Sequence, residues 1–135
     1  MERARTIFAD FKAGRLPAPM RGDPLGHDTI LIHFSNIQNV DIFPDFLDKR
    51  RINSLLLYSR VRHDEEHLGG TIALTNPSNP TILFETFTEL GQPREYRQTL
   101  TDEQTLYLLF IFTYYIIKLI DAAGVQMYDI YTYNE

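Results

Sequence analysis

The chain predicts an α+β domain: an antiparallel or mixed sheet of about five strands, one long C-terminal helix packed across it, and a short N-terminal helix beside it. Three observations predict this. A long apolar stretch with helix signals at both ends runs from Thr101 to Gly124. Short runs rich in β-branched and aromatic residues, separated by turn residues, lie before and after it. Ala4, Ile7, Phe8 and Phe11 fall at helical spacing near the start of the chain.

The first element is a helix over residues 3–13, stopped by Gly14. The proline- and glycine-rich segment 16–26 is a connection, and its Arg21-Gly22-Asp23 tripeptide reads as a turn before Pro24 rather than an adhesive motif. Residues 28–35 form a strand with Ile30, Ile32 and Phe34 on one face and Thr29, Leu31 and His33 on the other. Segment 36–53 is the least decided. Pro44 suits the first position of a short helix over 44–51, with Asp45 in its first turn, Lys49, Arg50 and Arg51 in its last, and Phe43, Phe46 and Leu47 pinning it to the core.

Three strands then follow in an antiparallel meander, at 54–62, 71–75 and 81–88. Their connectors are 63–70 and the turn Asn76-Pro77-Ser78-Asn79-Pro80. Residues 91–100 return the chain to the long helix. After Gly124, residues 125–133 (VQMYDIYTY) have the composition of a final strand.

The long helix is defined by its ends. Thr101 and Gln104 make a Thr-x-x-Gln capping box, Asp102 and Glu103 place negative charge in the first turn, and Gly124 supplies a stop. No charge falls between Leu106 and Ile117. That run is short of the roughly 20 apolar residues a bilayer needs, so a buried core helix is expected. On a wheel, Glu103, Tyr107, Tyr114, Lys118 and Asp121 form a narrow polar stripe. The remaining apolar arc is wider than one sheet can cover, so another part of the chain, or a second chain, must help.

Composition fits one domain over 1–135. The hydrophobic share is 44%, the charged share 23% and the formal net charge −5. The chain is acidic and has no long basic run, so nucleic-acid and anionic-membrane binding are not expected. No cysteine is present, which removes disulfides, thiolate nucleophiles and cysteine-based zinc sites. The N-terminal residues lack the apolar core of a signal peptide, and a cytoplasmic location, or a host's cytoplasm, is expected.

Two constellations carry candidate chemistry. His63-Asp64-Glu65-Glu66-His67 fits the His-x-x-Glu-His order of metalloproteases, with His63, Glu66 and His67 as ligands or base. Two ligands at that spacing need a stable helix and a third ligand, and Gly69-Gly70 cuts the segment short. A charged hairpin tip is the better reading, with no metal and no cofactor expected. The tyrosines are the second constellation. Tyrosine joins a large apolar ring to a polar tip, which suits interface positions. Tyr107, Ile111 and Tyr114 on the long helix, with Tyr131 and Tyr133 on the last strand, are the candidate interface residues.

Nucleotide loops and nucleophile elbows are absent from the sequence. Glu85 and Glu89 could share a proton as paired acids, but their spacing equally suits a solvent-facing strand edge. The expected function is therefore a non-enzymatic accessory module that binds protein, itself as a homodimer or another chain. The alternatives are a small metal-dependent hydrolase using His63, Glu66 and His67, and a small-ligand carrier with an aromatic pocket between helix and sheet.

Overall fold

The structure, a computed structural model, describes residues 2–16, 28–34, 40–62, 70–86, 94–113 and 125–126. Its elements in chain order are α1 (Glu2–Lys12), β1 (Ile30–Phe34), a single 3₁₀ turn (Val40–Ile42), α2 (Lys49–Arg62), β2 (Gly70–Thr75), β3 (Thr81–Thr86), β4 (Arg94–Thr99), α3 (Asp102–Ile111) and β5 (Val125–Gln126). The fold is α+β. Four antiparallel strands lie side by side in the order β4-β3-β2-β1, and the two-residue β5 pairs with the free side of β1.

Helix α1 behaves as its spacing predicts. Ala4, Ile7 and Phe11 are buried on one face. Its end is a Schellman closure: Arg15 N donates to Asp10 O at 2.8 Å and Gly14 N to Phe11 O at 3.3 Å, with Gly14 at φ +69°. Glycine adopts that φ without the strain a Cβ would bring.

Register explains which strand residues are inside. Ile30 pairs with Leu74, Leu74 with Ile82, Ile32 with Ile72, Ile72 with Phe84, and Phe84 with Tyr96. All of these side chains belong to one buried cluster with α1, α2 and α3. The helices therefore share one face of the sheet. On the opposite face Leu31 and Ala73 are also buried, whereas Glu95 and Arg97 at the β4 end are exposed.

Segment 40–62 departs from expectation. Residues 54–62 are not a strand; they complete α2, which starts at Lys49. Pro44 does not open a helix either. Its carbonyl accepts from Leu47 N at 3.1 Å in a tight turn. The true N-cap is Asp48, whose Oδ1 accepts from Arg51 N at 3.1 Å while its carbonyl accepts from Ile52 N at 3.1 Å. Leu47 before the cap and Ile52 after it are both buried in the same cluster, a hydrophobic staple that fixes how the chain enters the helix. Lys49, Arg50 and Arg51 thus occupy the first turn rather than the last, against the helix dipole. The Asp48 carboxylate offsets this.

A three-strand meander exists, displaced by one element: it is β2-β3-β4. Residues 94–99, expected as a connection, form β4 at the sheet edge. The β2–β3 turn is as expected, with Asn79 N donating to Asn76 O at 2.9 Å and Asn76 at φ 59°, a conformation asparagine tolerates. Lys12 Nζ donates to Pro77 O at 2.7 Å and to Asp102 Oδ1 at 3.0 Å, tying the end of α1 to this turn and to the start of α3.

Helix α3 carries the full capping box. Gln104 N donates to Thr101 Oγ1, and Thr101 N to Gln104 Oε1, each at 3.0 Å. Thr101→Ala is expected to cost about 1 kcal/mol and Thr101→Gly a few tenths. Urea unfolding, with the slope unchanged, checks this. Helical winding is described to Ile111; the remainder of the expected helix, 114–124, and most of the expected last strand lie outside the described residues. No helix among the described residues is long and apolar enough to cross a membrane.

Candidate interaction surface

Thr105, Leu108, Leu109 and Ile111 of α3 are buried, followed by Phe112. Glu103, Leu106, Tyr107 and Phe110, spaced i, i+3, i+4 and i+7, form the outward face. Tyr107 remains 50% exposed, one of two large apolar side chains so placed among the described residues. Leu57 on α2 is the other.

Tyr107 does not stand alone. Its ring packs against Phe46 (centroids 6.2 Å apart, planes at 65°) and against Phe110 (6.4 Å, 47°). Phe46 arrives from the turn before α2. Phe43 and Leu47 on either side of it are anchored in the core, which leaves the Phe46 ring half-buried at the surface. The result is an aromatic triad drawn from α3 and the 43–48 turn.

That turn is held to the sheet edge by a polar node. Gln98 Nε2 on β4 donates to Phe46 O at 2.7 Å. Tyr96 OH accepts from Asp48 N at 3.1 Å and donates to Gln98 Oε1. Burial pushes the Tyr96 phenol above its usual range, and the Asp48 N–H opposes that in part. The triad is therefore one side chain away from β4.

Nearby charge is peripheral. Lys49 Nζ sits 2.7 Å from Asp45 Oδ1. The hydrogen bond from Lys49, then its charge, hold the Asp45 carboxyl below its usual range. Asp45 is fully exposed, so this pair contributes little to stability.

Of the expected interface residues, Tyr107 is at the surface and central to the triad. Ile111 is 5% exposed and packs in the core, so it offers nothing to a partner in this conformation. Tyr114, Tyr131 and Tyr133 lie outside the described residues, as do His63, Glu66 and His67. Among the described residues no cluster of three or more histidine, cysteine or carboxylate side chains could hold a metal. Of the three side chains expected to pin segment 44–51 to the core, Phe43 and Leu47 are buried, whereas Phe46 is only half-buried and packs at the surface. The signal that could have shown this is the staple around Asp48, which fixes Leu47 inward and so turns its neighbour out.

What such a surface can do is bind: three rings offer apolar area, edge-to-face geometry and one phenol hydroxyl at the rim. Compared with protein families, with curated proteins and with solved structures, the chain matches none of them.

Proposed function

We propose that the chain is a non-enzymatic, cytoplasmic protein-binding module whose partner is a second copy of itself. The observation that carries this is Tyr107: half its surface is open to solvent although it sits within an aromatic triad on a helix face. Aromatic residues in an exposed cluster are the usual anchors of protein interfaces. A symmetric contact lets one patch serve both sides, the commonest form of oligomer. Tyr114 as a further anchor, and Tyr131 and Tyr133 as a rim of the seam, with the long helix to Gly124 and the last strand that would carry them, belong to the same proposal.

Light scattering behind a sizing column tests it. At tens of micromolar the chain is expected to run at twice its own mass, and Tyr107→Arg to weaken association about ten-fold or more. A monomer at that concentration overturns self-binding. A dimer indifferent to Tyr107→Arg moves the seam off α3.

A further inference from the structure

Among the described residues β4 is the terminal strand of the sheet, and no strand pairs with its outer edge. The register states which main-chain groups that edge presents. Leu100 N donates to Pro80 O at 2.7 Å, and Thr99 pairs with Thr81, Gln98 with Ile82 and Tyr96 with Phe84. In an antiparallel ladder, alternate residues bond the neighbour. Gln98 and Tyr96 therefore bond to β3, and the N–H and C=O groups of Glu95, Arg97 and Thr99 point outward. The three residues are exposed.

An open edge of this kind is a template for another strand. Charge decides which one. Glu95 stands opposite Glu85 of β3, a like-charge pairing, and Arg97 two residues on lies 3.8 Å from it. Like charges directly across a ladder are unfavourable and opposite charges favourable. Among the described residues Glu95 thus has no directly opposed cation. A second β4 laid antiparallel with its two-fold axis at Tyr96 supplies it: Glu95 of each copy falls opposite Arg97 of the other. Both residues point their main-chain groups outward, so each such pair exchanges two N–H···O=C bonds. Sliding the pairing by one step of matching residues, to an axis at Arg97, would set Arg97 against itself.

We propose that two copies join edge to edge through β4 in this register, forming one continuous sheet with the Phe46–Tyr107–Phe110 triads beside the seam. The proposal rests on the self-association reading and specifies its geometry. The triad lies close enough to take part, because Gln98 of β4 holds Phe46 by its carbonyl. Backbone bonds then set the register, and the rings add apolar area next to it.

The test uses the full chain with sedimentation equilibrium, and amide exchange read by NMR. Arg97→Glu and Glu95→Arg alone should each weaken the dimer about ten-fold or more, since each places like charges across the seam twice. The swap Glu95→Arg with Arg97→Glu should restore association to near that of the natural chain. The Glu95 and Arg97 amides should exchange slowly in the dimer and fast on dilution to the monomer. Circular dichroism melts confirm that each variant folds. A dimer unaffected by the single changes, weakened without rescue by the swap, or fast-exchanging at these two amides overturns the β4 seam while leaving self-binding intact. A chain that stays monomeric overturns both.

Discussion

Phe43→Ala is expected to destabilise the domain by about 3–5 kcal/mol, the range for removing a large buried aromatic side chain. Phe43 is 1% exposed and sits where three elements meet. Its ring packs edge-to-face on Phe84 of β3 (6.2 Å, 87°) and on Phe112 at the end of α3 (6.4 Å, 89°). Each such contact adds about 0.5–1.5 kcal/mol beyond area alone. The alanine variant leaves a void between sheet and helix that neither side can close without moving. Against a typical domain stability of about 5–15 kcal/mol, the loss would approach the unfolding threshold. Phe43→Leu keeps most of the volume and should cost roughly half as much or less. Urea unfolding of the two variants measures both. A loss for Phe43→Ala below about 1 kcal/mol, the scale of a surface change, would mean that this ring is not a junction of the core.

Helices α1 and α3 are legible because their signals are local: Gly14 closes one, the Thr101–Gln104 box opens the other, and neither depends on distant contacts. β1, β2 and β3 are legible because a strand buried in mid-sheet needs branched apolar side chains, and Ile30, Ile32, Ile72, Leu74 and Ile82 supply them. β4 escapes for the converse reason. An edge strand with one buried face needs few large apolar residues, so Tyr96 with the stem of Gln98 suffices, and Arg-Glu-Tyr-Arg-Gln-Thr reads as a connection. Leu55-Leu56-Leu57 misleads in the other direction, because a short apolar run fits a strand or a helix. Ile52, Leu55 and Leu56 buried with Leu57 exposed is the helical solution, and the Asp48 cap with its flanking staple is the local feature that favours it. At the surface, a helical wheel places Tyr107 outward correctly. It cannot say that the core reaches round to Ile111, only about 40° away on the wheel, because neighbouring elements set that limit.

Tyr96→Phe is expected to cost about 0.5–1.5 kcal/mol at neutral pH, the net worth of a part-buried hydrogen bond. The hydroxyl serves two groups at once, accepting from Asp48 N at 3.1 Å and donating to Gln98 Oε1. Asp48 is the N-cap of α2 and Gln98 holds Phe46 by its carbonyl, so the loss extends to the helix start and to the aromatic triad. A structural role confined to ring packing would leave the variant nearly as stable as the natural chain. The pH dependence separates these cases. Burial raises the Tyr96 pKa in the folded state above the usual tyrosine value of about 10. Between the unfolded and folded values the unfolded chain has released this proton and the folded chain has kept it, so stability falls as pH rises. The contribution is fully present below about pH 10 and is lost as pH climbs toward the folded value. Other tyrosines add to alkaline loss in both proteins, and the difference between the natural chain and Tyr96→Phe isolates this one. Urea midpoints measured at neutral pH and again above pH 10 should therefore converge: the variant begins less stable and declines less steeply. Parallel curves would show that Tyr96 titrates alike in both states and that burial does not raise its pKa.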